Sequence, residues 1–273
     1  METIEFWKMS GSGNDFVLID NREGQIEEAD MGRFVRKVCR RRESVGADGL
    51  IFVTHSSRFD FAWKYFNADG GEAEMCGNGG RCVARFAFLK GFAGAQMTFQ
   101  TLAGPISAEV MGRRVKLLMP RPADLRLDIG LAHRSGWKSV DFINTGVPHV
   151  VVQVGDLADH PVVEEGRAVR HDALFSPAGT NADFIKVTGP DSLDLRTYER
   201  GVEDETLACG TGAMASALVA SARGMVASPV KVKTRGGEEL YIHFEKDQGA
   251  FSRVWLEGNT SLVYQGRLHE EAL

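Results

Sequence analysis

The pattern Cys-Gly-x-Gly occurs twice, as Cys76-Gly77-Asn78-Gly79 and as Cys209-Gly210-Thr211-Gly212, each time opening a stretch with helical character. Glycines there let the backbone turn sharply, with the cysteine at the mouth of the turn. A fainter echo relates Gly13-Asn14-Asp15-Phe16-Val17 to Thr180-Asn181-Ala182-Asp183-Phe184-Ile185. Two echoes in the same order, each beside an expected element junction, predict two similar domains facing across a cleft. The chain of 273 residues is long enough for both. Its size predicts burial of roughly 70% of the unfolded surface, near the point where one core divides into two.

Short strands dominate the first half. Residues 4–9 and 15–20 read as strands. In residues 30–41, Met31, Phe34, Val35 and Val38 recur with a 3.6-residue period, which predicts a helix capped by Asp30. Residues 59–66 alternate as a strand, and residues 79–90 are helical with Gly91 as the stop. Strands are expected at 97–99, 106–110 and 115–119. Pro120-Arg121-Pro122 forbids regular structure and marks the linker. Beyond it, strands are expected at 140–143, 150–154, 182–187 and 194–198, then a small-residue helix at 212–222, then strands at 230–234, 240–245 and 251–257. Many strands with two prominent glycine-flanked helices make an α+β fold, divided into residues 1–118 and 119–261.

A helix start carries unpaired N–H groups and partial positive charge, so it holds carboxylates and favours thiolate over thiol. If the two starts converge, a carboxylate held by both leaves its α-carbon between two sulfurs. One thiolate then removes the α-proton while the other thiol donates from the opposite face. Inversion at carbon needs that arrangement, since a single base returns the proton to the face it left. The same N–H groups stabilise the charge that develops on the carboxylate. Read from residues alone, Cys76 and Cys209 also fit buried packing positions or a redox pair. Their spacing from Cys82 matches no Cys-x₂₋₄-Cys zinc pattern, so no metal is expected. Cys39 and Cys82 read as packing residues.

Several functional classes find no support. The net charge of −5 argues against a nucleic-acid partner. No apolar run approaches the roughly 20 residues that span a bilayer, and the first residues lack a signal peptide's order. Four cysteines without a secretion signal predict a cytoplasmic protein rather than a disulfide framework. Gly11-Ser12-Gly13 lacks the third glycine of a dinucleotide fingerprint, and neither a Walker A sequence nor Gly-x-Ser-x-Gly is present. His149 follows Asn144-Thr145-Gly146-Val147-Pro148, a turn between two strands, and reads as exposed loop decoration or, near the cleft, as a group that tunes a cysteine or shuttles its proton. Glu199 and Arg200 read as a surface pair, or as an acid/base group and a carboxylate clamp. Asn14, Asn67 and Asn181 stand at turn junctions, as caps or as amides for a substrate rich in ammonium and carboxylate groups.

In their order, these residues closely resemble the diaminopimelate epimerase family. The resemblance rests on Gly13-Asn14-Asp15-Phe16, Asn67-Ala68-Asp69-Gly70 through Cys76-Gly77-Asn78-Gly79-Gly80-Arg81-Cys82, Pro148-His149, and Tyr198-Glu199-Arg200-Gly201 through Cys209-Gly210-Thr211-Gly212. It covers nearly the whole chain. It implies two pseudo-symmetric lobes, each a curled, mostly antiparallel sheet around a central helix, with residues 262–273 returning to the first lobe. It implies Cys76 and Cys209 as opposed bases assisted by His149 and Glu199. Gly77, Asn78, Gly210 and Thr211 would hold the reacting carboxylate, and Asn14, Asn67, Asn181 and Arg200 would read the distal amino-acid end. No metal or other cofactor is implied, the substrate is a small amino acid, and the chain is expected to be a homodimer.

Two departures stand out. The family commonly has Gly-Asn-Pro-His where this chain has Gly146-Val147-Pro148-His149, and often Glu-Arg-Gly-x-Gly-Glu-Thr where this chain runs one residue longer, from Glu199 to Thr206. The alternatives are a histidine, proline or broad-range racemase of the same fold, a phenazine-type isomerase lacking the cysteine pair, and a non-catalytic binding homologue. A proline racemase has little use for Arg200 and three asparagines. A binding homologue would be marked by loss of a cysteine, and both are present.

Overall fold

Apolar alternation and its continuous variants produce sixteen strands and four α-helices within residues 4–131 and 136–273, the part that the computed structural model describes. The chain forms two compact units, Met1–Leu117 with Gly258–Leu273, and Leu118–Glu257.

In unit 1, β1 (Glu5–Gly11) and β2 (Asn14–Asp20) make an antiparallel hairpin. Helix α1 (Glu28–Val38) then carries the chain over to β3 (Gly49–Thr54), which runs parallel to β2 with Phe16 opposite Gly49. Strand β4 (Phe61–Asn67) returns antiparallel to β3 and leads into α2 (Gly77–Lys90). β5 (Gln96–Thr101) pairs parallel with β4, and β6 (Gly104–Met111) and β7 (Arg114–Leu118) follow antiparallel. Helix α2 packs against β1, β2, β3 and β6, and its small residues Gly79, Gly80, Ala84 and Ala87 are buried there. Gly91 ends it at φ 78°, a left-handed cap that only glycine adopts without cost. Helix α1 buries Met31, Val35 and Val38. Its N-cap is Glu27, not the expected Asp30. The helix starts earlier, Glu28 and Asp30 occupy the first turn where the dipole favours them, and Asp30 accepts from Arg33 instead. Cys39, expected inside the helix, is its C-cap and is buried.

In unit 2, β8 (Ala123–Arg126) pairs with β9 (Trp137–Asn144), which forms a hairpin with β10 (Pro148–Val154). Helix α3 (Val162–Arg170) leads to β11 (Asn181–Gly189), parallel to β10, and β12 (Ser192–Glu199) returns antiparallel. After the short β13 (Asp204–Thr206) comes α4 (Gly210–Ala222). β14 (Val230–Lys233) is parallel to β12, and β15 (Glu239–Asp247) and β16 (Ala250–Arg267) follow antiparallel. Helix α4 is apolar nearly all round and buried from Gly212 to Ser221, as such a helix must be. It packs against β9 to β12, β14 and β15.

The succession is the same in both units: hairpin, crossover helix, parallel strand, antiparallel strand, cysteine-capped helix, parallel strand, two antiparallel strands. That succession corrects the fainter sequence echo. Asn14 opens β2, before the crossover helix, whereas Asn181 opens β11, after it. The counterpart of Asn14 is the start of β10, Pro148-His149. The two asparagines are alike because each starts a strand, not because the repeat relates them.

Four further features differ from expectation. β3 has no polar alternation because five of its six residues are buried. α3 is short and contains Gly166, where any Cβ would overlap the Tyr198 side chain. β8 and β13 are brief edge pairings, too short to show a pattern. Residues 250–267 form one strand rather than two: Gly258 stays extended, with no positive φ to break it. The first part of β16 pairs with β15, and the part from Thr260 pairs with β1. Among the described residues no helix is long and apolar enough to cross a membrane.

Candidate active site

Each repeated cysteine is the N-cap of its helix. Cys76 has extended backbone at φ −143°, ψ 116° and accepts the Gly79 N–H on its sulfur at 3.4 Å. Cys209, at φ −123°, ψ 114°, accepts the Gly212 N–H at the same 3.4 Å. Gly77 and Asn78 are the first two residues of α2, and Gly210 and Thr211 the first two of α4. First-turn N–H groups have no acceptor within their own helix, so both starts are ready to take an anion.

In unit 1 the structure brings Cys76, Asn78 and Asn14 together. The Asn78 amide donates to Asn14 Oδ1 at 2.7 Å, and Asn14 Nδ2 donates to Asp48 Oδ2 at 3.0 Å. Both ends of the Asn14 amide are therefore already bonded within the protein. Arg81 is fully buried one turn into α2 and donates to Asn78 Oδ1 at 2.7 Å, to Ser12 Oγ and to the Gly77 carbonyl. Asn67 ends β4 and is exposed, with its Oδ1 accepting from the Tyr65 hydroxyl at 2.8 Å. That hydroxyl also bonds the Cys76 side chain. Burial pushes the Cys76 thiol up, while the N–H groups of Gly79 and Asn78, the Arg81 charge and the Tyr65 hydroxyl pull it down without cancelling the rise. A helix start was expected to favour thiolate. Loss of water outweighs it here.

Behind these groups lies an ion network. Asp15 accepts from Arg41 at 2.6 Å and pairs with Lys8 Nζ at 2.7 Å, while Asp48 pairs with Arg41 at 2.8 Å. Burial works to raise the Asp15 carboxyl, but hydrogen bonds from Arg41 and Lys8 outweigh it and hold the group at about 2. This network fixes the start of β3 against the start of β2.

In unit 2 the groups around the sulfur are acidic. Cys209 is buried, its sulfur 3.4 Å from the Thr211 hydroxyl. Glu199, at the end of β12, hydrogen-bonds Cys209 and accepts from Thr206. Burial pushes the Glu199 carboxyl up and the Asp183 charge adds to that, against the pull of Thr206, Cys209 and His149. Burial, then Glu199 and Asp183, push the Cys209 thiol well above its ordinary value. His149 is not exposed loop decoration. It is the second residue of β10, opposite Ile143 and Asn181, and is fully buried with Nδ1 2.6 Å from Asp183 Oδ2. The strand starts there because Gly146, at φ 106°, completes the turn from β9.

Asn181 and Arg200 meet through the backbone: Asn181 Oδ1 accepts the Arg200 N–H at 2.8 Å, and Asn181 Nδ2 donates to the Pro148 carbonyl at 3.1 Å. The Arg200 guanidinium donates to the Ala178 carbonyl at 3.2 Å. The one-residue-longer loop closes as a hairpin, with Glu199 opposite Asp204 and the Glu203 N–H on the Glu199 carbonyl. Val147 receives the Thr145 N–H on its carbonyl at 3.1 Å, so the turn is held by main chain. Sequence reasoning missed Tyr65, Arg81, Asp48 and Asp183. Only the last carried a signal, as an acidic residue between the apolar Ala182 and Phe184-Ile185. Among the described residues no group of three or more His, Cys, Asp or Glu is placed to hold a metal ion.

Sequence comparisons with known proteins agree on one family. A sequence profile for diaminopimelate epimerase matches residues 6–122 and 142–262. The diaminopimelate epimerase of Aquifex aeolicus is 48% identical, covering 99% of this chain and 99% of its own length. That of a Hydrogenobaculum species is 44% identical, covering 97% and 98%. Among solved structures, a Bacillus anthracis phenazine biosynthesis protein of the PhzF family superposes with a TM-score of 0.76 at 17% identity, over 98% of this chain and 100% of that one. At that identity the likeness is one of fold.

Proposed function

We infer the reaction from one premise: the chain belongs to the diaminopimelate epimerase family. It is an isomerase that interconverts LL- and meso-2,6-diaminopimelate, a step toward lysine and peptidoglycan precursors. The observation that carries the reading is a cysteine N-cap on both α2 and α4 within a match that spans nearly the whole chain.

We propose two pseudo-symmetric lobes, each a curled sheet around its cysteine-capped helix. The reacting carboxylate lies on the first-turn groups of Gly77, Asn78, Gly210 and Thr211, where developing charge is stabilised. One sulfur, as thiolate, takes the α-proton: a C–H bond breaks and an S–H bond forms. The opposite thiol gives its proton to the other face: an S–H bond breaks and a C–H bond forms. The sulfurs end with exchanged protonation, ready for the reverse reaction. His149 and Glu199 assist these transfers. Asn67 and Arg200 read the distal end, with Asn14 acting through Asn78 and Asn181 through the Arg200 main chain. The chemistry asks for no metal and no pyridoxal phosphate. A homodimer in the cytoplasm completes the reading carried over from the family resemblance.

Freshly reduced protein incubated with LL-diaminopimelate in D₂O tests it. Meso product carrying one solvent-derived α-deuterium is expected by chiral chromatography and mass spectrometry. No isomerisation and no deuterium uptake, with the thiols verified as reduced, rejects the substrate.

A further inference from the structure

We propose that Asp183 is a positioning residue that fixes His149 as the Nδ1–H tautomer and so presents Nε2 as a proton acceptor for the reaction above, the reading on which this inference rests. His149 and Asp183 are both fully buried, on the parallel strands β10 and β11, with Nδ1 2.6 Å from Oδ2. The other carboxylate oxygen, Oδ1, accepts the Thr197 hydroxyl of β12 at 2.7 Å. From the helix side, a Cβ on Gly212 would overlap that oxygen, so glycine in the repeated motif is what lets α4 start against this carboxylate.

A carboxylate accepts and does not donate, so the ring nitrogen facing it carries the proton. In the neutral ring the lone pair is then on Nε2. That atom is buried with no hydrogen-bond partner among the described residues. Such an atom is costly to keep in a folded protein unless a ligand or a reacting group supplies its partner. The acidic groups around the pair are Asp183 on β11, Glu199 on β12 and Cys209 at the start of α4. The Asp183 charge reaches both of the others, raising Glu199 and Cys209 alike. Asp183 therefore does for His149 what a buried carboxylate does for a catalytic imidazole elsewhere: it sets the tautomer and touches no substrate.

Nitrogen-15 NMR of the full chain, with His149 assigned through His149→Gln, tests the tautomer without any turnover. The expected result is an Nδ1–H resonance, slowly exchanging and downfield, in the unsubstituted protein. In Asp183→Asn that resonance is lost, kcat falls by about a hundredfold or more, and KM changes by less than about threefold. An Nε2–H ring in the unsubstituted protein overturns the proposal, as does an Asp183→Asn variant that retains kcat within about threefold. If that variant does not fold, the tautomer of the unsubstituted protein decides alone. Failure of the diaminopimelate assay with an intact Nδ1–H signal would instead count against the substrate.

Discussion

The starts of α2 and α4 are built on one plan and surrounded in opposite ways. In each, an extended cysteine caps the helix and receives the N–H three residues on at 3.4 Å. β4 ends in an amide, Asn67, where β12 ends in a carboxylate, Glu199. Around Cys76 stand donors: the Asn78 N–H, the Tyr65 hydroxyl and the buried Arg81. Around Cys209 stand Glu199 and Asp183. The scaffold thus decides where each sulfur sits, and the strand-end side chains decide how firmly it holds its proton. Two chemically identical thiols thus differ: burial raises both, and acidic neighbours raise Cys209 further.

The largest effect expected comes from removing either sulfur. Cys76→Ser and Cys209→Ser should each lower epimerisation by roughly a thousandfold or more. Each variant should still exchange the α-proton of one isomer with solvent, and the two should do so for opposite isomers. Mass spectrometry of both isomers after incubation in D₂O checks this; exchange of the same isomer by both variants breaks the division of labour.

The supports differ too, and pH separates them. Asp15 is held at about 2, below its unfolded value of about 3.9, so its contribution is complete above pH 4 and fades as pH falls toward 2. Asp15→Asn should cost about 2 kcal/mol at neutral pH and flatten the acid limb of stability between about pH 4 and 2. Urea unfolding across that range measures it, and an unchanged acid limb would remove the network's role. The smallest effect concerns the resting sulfurs. Both thiols are raised, so alkylation of each should climb on the alkaline side, with Cys209 half-maximal at higher pH than Cys76. Peptide mapping after iodoacetamide follows each site, and the half-maximal pH is independent of how accessible the sulfur is. The reverse order would invert the comparison.

What the residue pattern revealed follows the range over which each force acts. The cysteine caps and the Gly91 stop were legible because they are local: glycine geometry and helix-end chemistry lie within four residues. β3 escaped notice because Gly49-Leu50-Ile51-Phe52-Val53 is buried throughout and shows no alternation. α3 is a nine-residue helix with no side-chain N-cap, and tertiary packing on β11 and β12 makes it. Asp183 could not be paired with His149 from spacing, because the parallel register between β10 and β11 brings them together. The same limit explains His149 itself, whose Gly-Val-Pro prelude reads as a turn but delivers it into a strand core.

The single strand from Ala250 to Arg267 also orders events in time. Residues 118–257 are contiguous, so unit 2 has all its strands once Glu257 has left the ribosome. β1 has β2 on one side and finds its other partner only in Thr260–Arg267, made after all of unit 2. β1 therefore keeps an open edge while unit 2 is being made, a template for stray pairing of the kind that holdase chaperones cover.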